Sequence, residues 1–292
     1  PRVLDGLFSL AERLYGIRVK EIPTRQSLSG IPAGESAGAV EVWHPDVRFF
    51  TIDDGNGDRL GSFYLDLFSR SNKRAGAWMN TLDTGSPSTP ETPGKPRLGM
   101  VCLNIHPPSA GDTVTLSHRE VRTLFHEFGH LLHLMFTRVS IPSLAGTSVP
   151  RDFVEVPSQF MENWCWRPDV LKSFARHEQT GFPFPEEMLN ALDASRGNTP
   201  ALALAGQLLY AKMDLAVHSE PERFSAGSLD NVDSAVAGEM DYFKRAGKLR
   251  TARHLFSSPA GYASFYFSYQ WAEVLDKDIS EAFERAGGPE RE

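Results

Sequence analysis

Apolar residues at Val3, Leu4, Leu7, Phe8, Leu10 and Leu14 recur at the three- and four-residue spacing of a helix with one broad buried face. A helix is therefore expected from Val3 to about Leu14. A turn-rich stretch with Pro23, Gly30, Pro32, Gly34 and Gly38 follows it. The pattern then predicts extended segments at Val40–Trp43, Val47–Ile52 and Gly61–Phe68. In the last of these, Phe63, Leu65 and Leu67 alternate with Ser62, Tyr64 and Asp66, the period of a strand. The acidic run Asp53-Asp54-Gly55-Asn56-Gly57-Asp58 reads as a hairpin turn between two of them. A calcium loop starting at Asp54 would need glycine and glutamate where Arg59 and Leu65 stand. After a polar loop from Asp83 to Pro96, a strand is expected at Gly99–Ile105. From Ser117 onward the chain reads mostly helical, with segments at Ser117–Thr137, Asp152–Arg167, Pro185–Ala194, Pro200–Ser219 and about Tyr262–Ala286. No internal repeat interrupts this order. The predicted fold is mainly α with a small β-sheet, organised as a single domain over residues 1–292.

Composition narrows the partners more than the fold. At 41% hydrophobic and 23% charged, the 292 residues have no compositional extreme. A net charge of -7 disfavours a phosphate-binding surface, so no nucleic-acid partner is expected. No apolar run reaches the roughly 18 residues needed to span a bilayer, and the first residues lack the pattern of a signal peptide. Cys102 and Cys165 stand far from any Cys-x-x-Cys pair and read as buried free thiols, which fits a reducing, cytoplasmic setting. The chain does not begin with methionine, and the beginning of a longer protein is expected to be missing.

The chemistry is concentrated after Ser117. Ser117-His118-Arg119-Glu120 has the form of a capping box, which fixes a helix start. On that helix, His126 and His130 lie about 40° apart, one turn above the other, so both imidazoles can reach one metal. Glu127 projects about 100° from His126 and can reach a water beside the metal without being a ligand. This His-Glu-x-x-His spacing is that of a zincin. The bland reading is a helix that happens to carry two histidines. The flanking Leu124, Phe125, Phe128, Leu131 and Leu132 argue against it, because buried imidazoles and a buried carboxylate need partners.

A catalytic zinc takes a third protein ligand. His133 falls on the wrong side of the helix. The residues after His130 also lack the Gly and His of a metzincin. Glu155, among the apolar residues of Arg151-Asp152-Phe153-Val154-Glu155-Val156-Pro157, is the remaining candidate; its alternative role is to close a capping box with Asp152. Pro157 disfavours helix at Val156, so Glu155 is expected just before a regular helix or in its first turn. Tyr262 and Tyr269 are spaced to share a face of a continuous helix, as an ordinary core stripe with Phe265 and Tyr266 would also be. The small residues Ser143–Ala145 and Gly146-Thr147 fit a lid over substrate or a plain connector equally well.

Taken together, His126-Glu127-Phe128-Gly129-His130, Gly146-Thr147, Arg151 through Gln159, Glu162-Asn163-Trp164 and Gly261-Tyr262 with Tyr266, Tyr269 and Trp271 resemble the thimet oligopeptidase family. Leu60 through Leu67, ending in Arg70 and Lys73, is similar as well. Within the family, the bacterial oligopeptidase A and dipeptidyl carboxypeptidase branch is nearest. The resemblance implies a zincin-like catalytic domain of the gluzincin type. It carries one zinc ion on His126, His130 and Glu155, the general base onto Glu127, and the tyrosines that stabilise the tetrahedral intermediate onto Tyr262 and Tyr269. His254 resembles the family's substrate-contacting histidine, although Ser257-Ser258-Pro259-Ala260 lengthens the interval before Gly261.

The activity implied is zinc-dependent hydrolysis of short, unstructured peptides, with no membrane or nucleic-acid partner and a monomer at full length. Release of dipeptides from the C-terminus, or a truncated relative without activity, are the alternatives. An aminopeptidase would need a Gly-x-Met-Glu-Asn type segment, which is absent. Family members are much longer, so this chain is expected to be the catalytic portion and to expose apolar surface that the remainder covers.

Overall fold

The computed structural model describes residues 1–27, 35–36, 38–87, 93–108, 113–196, 200–219, 229–239, 248–256 and 263–288. They fall into two compact units. One comprises Pro1–Val149, Val156–Asn190 and Asp276–Glu292; the other comprises Pro150–Glu155 and Ala191–Leu275.

In the first unit, helix α1 (Arg2–Tyr15) buries Leu4, Leu7, Leu10 and Ala11, the face expected from its spacing. The strands are β1 (Arg18–Ile22), β2 (Thr24–Gln26), β3 (Glu35–Ser36), β4 (Ala39–Val42), β5 (Arg48–Asp53), β6 (Arg59–Phe68), β7 (Trp78–Asp83) and β8 (Arg97–Ile105). Five of them form a mixed sheet in the order β1-β5-β6-β8-β7, in which only β6 and β8 run parallel; β2, β4 and β3 form a small second sheet. The expected hairpin joins β5 to β6. Asp54 closes it, its side chain accepting from the amides of Asn56 and Asp58 at 2.9 Å.

Four strands, β4, β5, β6 and β8, lie within two residues of the expected extended segments. β1 and β7, which no apolar pattern announced, are the two edges of the sheet and are mostly exposed or half-buried. Edge strands have little apolar surface to bury, so they carry little sequence signal.

Helix α2 (His118–Met135) lies on this sheet. Gly61 on β6 and Gly99 on β8 make room for it: a Cβ at Gly99 would stand 2.6 Å from Leu131 Cδ1, and one at Gly61 2.4 Å from Met135 Sδ. Beneath α2, Phe128 meets Phe8 and Phe63 with ring centroids 5.7 and 6.1 Å apart, and Phe63 stacks on Phe50 at 5.1 Å. Such pairs add about 0.5–1.5 kcal/mol each beyond the burial of their area.

The expected helix Asp152–Arg167 is broken. It consists of α3 (Arg151–Val154), α4 (Val156–Asn163) and a 3₁₀ turn at Trp164–Trp166. Pro157 is the physical reason: it lacks an N–H and crowds the preceding residue, so it fits only in the first turn of α4. Helices α5 (Pro168–Phe174) and α6 (Glu186–Arg196) complete this part of the chain.

The second unit has its core on α7 (Pro200–Ser219), α8 (Leu229–Glu239), α9 (Lys248–Thr251) and a 3₁₀ turn at Arg253–Phe256; helix α10 (Ser268–Arg285) follows in the chain, and its residues from Asp276 onward count with the first unit. Leu209, Met213, Val217, Val232, Leu249, Leu255 and Tyr266 are its buried residues. α7 also leaves Leu204, Leu208 and Leu215 exposed. The last expected helix starts later than its sequence suggests: residues 263–267 form turns, and α10 begins at Ser268. Tyr262 lies outside the described residues, and the idea of one continuous helix from Tyr262 through Tyr269 does not hold.

Among the described residues, no helix is long and apolar enough to cross a membrane. Cys102 and Cys165 are buried free thiols, as expected, and burial pushes the Cys102 thiol up to about 11.

Candidate metal centre

Helix α2 starts at the predicted capping box. The Ser117 amide donates to Glu120 Oε2 at 2.8 Å, and the Glu120 amide returns a bond to Ser117 Oγ at 3.3 Å. This fixes the helical register of the residues that follow. The rings of His126 and His130 stand edge to face with centroids 4.9 Å apart, as neighbours one turn apart should. Glu127, on the adjacent side of the helix, is 6% exposed.

Glu155 occupies the break between α3 and α4, in near-helical backbone with φ −87° and ψ −7°, and is 5% exposed. Asp152 does not cap α3: its N-cap position is Pro150, and no side chain bonds there. One ligand atom each from His126, His130 and Glu155 lies within 4.8 Å of the others, a group able to hold one metal ion. His133 is not part of it. Burial, and then the charge of His130, hold the His133 imidazole below its ordinary pKa.

The break at Glu155 is compatible with close packing because of Gly129. A Cβ there would stand 2.6 Å from both Pro157 O and Ser158 Cα, so only glycine lets α2 and α4 approach this closely. In sequence terms, Gly129 was one of the two undefined positions of His-Glu-x-x-His; the structure gives it a packing reason.

Sequence reasoning gave no role to Glu162. The structure places its Oε1 2.7 Å from His126 Nδ1, while Arg122 donates to Oε2 from the other side. Burial alone would push the Glu162 carboxyl up. The hydrogen bond and charge of His126, together with Arg122, outweigh it and hold the group below the usual carboxylate range. Arg122 in turn lies over the Trp166 ring at 5.6 Å. No local spacing signals Glu162, because its partner His126 lies 36 residues away in the chain.

The remaining sequence-predicted residues are placed only in part. Tyr269 lies in the first turn of α10, half-buried, with its ring 5.3 Å from that of Tyr266. His254 falls in the 3₁₀ turn Arg253–Phe256, and its side chain is outside the described residues, as is the whole of Tyr262. The 143–147 loop contains a 3₁₀ turn at Pro142–Leu144, and the Gly146 amide, at φ +57°, donates to Thr137 Oγ1 at 3.2 Å.

The sequence profile described as Peptidase family M3 matches residues 1–292. The chain belongs to peptidase family M3. It is 39% identical over 292 residues to oligopeptidase A of Escherichia coli K12, an alignment covering 98% of this chain and 40% of that protein. It is 38% identical over 295 residues to a protein named probable cytosolic oligopeptidase A from Arabidopsis thaliana, with 98% and 40% covered. It is also 34% identical over 292 residues to dipeptidyl carboxypeptidase of Escherichia coli K12, with 99% and 40% covered. The chain thus spans about 40% of the length of these curated relatives. The resemblance read from His126 through Trp271 is the M3 relationship, and the mainly helical chain with its small mixed sheet is consistent with that family.

Proposed function

We propose that this chain is the zincin-like catalytic portion of an M3 oligopeptidase, which hydrolyses peptide bonds of short unstructured peptides using one zinc ion. The observation that carries the reading is the convergence of His126, His130 and Glu155, with Glu127 buried on the same helix. Two imidazoles and a carboxylate are the donor set of a catalytic zinc site with three protein ligands, and imidazole suits zinc better than the hard cations magnesium or calcium. With Nδ1 of His126 engaged by Glu162, its Nε2 would be the nitrogen left to hold the metal.

When bound, zinc supplies a Lewis acid for the scissile carbonyl and lowers the pKa of water toward about 7. The protein groups do the rest. Glu127 takes a proton from the attacking water and delivers it to the departing amine. Its burial keeps it from bulk solvent, so the proton is retained between the two steps. Tyr262 and Tyr269 provide hydroxyl donors for the negative charge that develops on the carbonyl oxygen. His254 contacts the substrate. Glu162 and Arg122 hold the His126 ring in one orientation and tautomer.

The identities favour an oligopeptidase over a dipeptidyl carboxypeptidase, because the oligopeptidase A relatives match at 37–39% and the dipeptidyl carboxypeptidases at 32–34%. A cytoplasmic setting agrees with the two buried free thiols; of the relatives, one is named cytosolic and another chloroplastic/mitochondrial.

The reading is tested by Glu127→Gln. The ligands survive while the base is lost, so zinc content stays the same and turnover falls by roughly 10²–10⁴. A Glu127→Gln chain that cleaves peptides at the wild-type rate would remove Glu127 from the mechanism.

A further inference from the structure

A carboxylate far from the metal ligands in sequence has a role that neither the motifs nor the family relationship assigns. Asp214 lies on α7 and is fully buried, at 0% exposure. Two backbone amides of one turn donate to it. Oδ1 accepts from the Ser264 amide at 3.1 Å, and Oδ2 from the Tyr266 amide at 2.9 Å. One helical turn along α7, His218 Nδ1 lies 2.8 Å from Oδ1 and 2.9 Å from the backbone carbonyl oxygen of Asp214.

The turn held in this way is an unusual one. Ser264 has φ +62° and is the only non-glycine with positive φ among the described residues. A serine persists in that region only when its surroundings over-determine it. Two amides, those of Ser264 and Tyr266, directed at a single buried carboxyl group are such a constraint. Backbone bonds lead from the turn into α10: the Ser268 amide bonds to Phe265 O at 2.9 Å, and the Tyr269 amide to Tyr266 O at 3.4 Å. Tyr266 is 8% exposed and rests on the Tyr210 ring at 5.5 Å and the Tyr269 ring at 5.3 Å. α7 is a firm base for this device, because Leu209, Met213 and Val217 anchor it in the core. A buried carboxylate that only filled space here would be costlier than a leucine.

We propose that Asp214, steadied by His218, is a positioning residue: it sets the conformation of the 264–266 turn and so the placement of the Tyr269 hydroxyl for the reaction. The functional half of this statement rests on the reading above that Tyr269 serves catalysis.

The test uses the zinc-loaded chain with Asp214→Asn, Tyr269→Phe and the double variant. Asparagine keeps the shape, but it turns one acceptor into a donor that faces an amide. Hydrogen exchange is expected to show protected Ser264 and Tyr266 amides in the wild type and faster exchange at those two in Asp214→Asn, with the rest of α7 unchanged. Cleavage of an internally quenched peptide is expected to lose kcat by on the order of 10- to 100-fold, the scale of one charge-assisted hydrogen bond, with KM and zinc content preserved. In the Tyr269→Phe background the same substitution should cost little more, because both changes remove one function.

Unchanged exchange at Ser264 and Tyr266 overturns the proposal whatever the activity. An equal loss of kcat in both backgrounds overturns the functional half, since it marks a general structural effect. Wild-type turnover by Tyr269→Phe alone removes the tyrosine's catalytic role, while the exchange result still decides whether Asp214 orders the turn. If Asp214→Asn does not fold, His218→Gln takes its place, with faster exchange at the same two amides as the supporting result and unchanged exchange as the contrary one.

Discussion

Gly129→Ala places one methyl group where the two helices around the metal ligands touch. The new Cβ would stand 2.6 Å from Pro157 O and Ser158 Cα, about 0.8 Å short of the 3.4 Å at which ordinary contact begins. Both obstacles are backbone, so no rotamer change relieves them. Helix α2 cannot retreat freely either, since Leu131 already presses on Gly99 and Phe128 on Phe63. The shift therefore falls on the spacing of α2, with His126 and His130, from α4, which begins at the residue after Glu155.

Overpacking of this kind costs about 1–3 kcal/mol of stability. Metal ligands tolerate displacements of only about 0.2 Å, so zinc affinity is expected to suffer as well, by about 10- to 100-fold, as when ligand orientation is lost. Urea unfolding with and without saturating chelator separates the two effects. The chelator-treated Gly129→Ala chain reports the packing cost, and the zinc-dependent increment should shrink by a further 1.4–2.8 kcal/mol or so. A variant with the wild-type zinc increment would refute the argument that Gly129 sets the ligand spacing.

Two other expectations come from single contacts. Glu162→Gln removes the charge that orients His126, and competition against a chromophoric chelator should show zinc affinity lowered by about 10- to 100-fold; unchanged affinity would dissociate Glu162 from the metal centre. Asp66 is buried between Arg70 and Lys73, and Asp66→Asn leaves the buried Lys73 ammonium with only the carbonyls of residues 66 and 68, at a cost of about 3 kcal/mol at neutral pH. Burial alone would push the Asp66 carboxyl up, but its hydrogen bonds and charge pairing with Arg70 and Lys73 hold it lower. Its stabilisation is therefore complete above the unfolded carboxylate pKa of about 3.9 and is lost as pH falls through the lower folded value. Unfolding measured at pH 7 and at pH 3 should show the gap between wild type and variant narrowing in acid; a gap independent of pH would contradict the pairing.

The α2 motif was legible because three local signals coincided: a capping box, an apolar face and metal-ligand spacing all within His118–Met135. Central strands were legible from their buried apolar residues, whereas β1 and β7 at the sheet edges bury none and were not. Pro157 foretold a disturbance near Glu155 but not that the helix would divide into α3 and α4. Glu162 and Asp214 were invisible for a different reason. Each acts through a partner far along the chain, 36 residues away for Glu162 with His126 and 50 or 52 for Asp214 with Ser264 and Tyr266, and no local pattern encodes such pairings. The start of α10 was misplaced because Phe265, Tyr266 and Tyr269 have helical spacing, while the segment is a turn held from outside by Asp214.

The most direct test of the central claim is cleavage of an internally quenched peptide of about nine residues, with and without a zinc chelator, alongside bound-metal analysis and Glu127→Gln as the inactive control. The account predicts about one zinc per chain and cleavage that chelator abolishes and zinc restores. Cleavage that persists in a metal-free chain, or a purified chain that takes up no zinc, would contradict it.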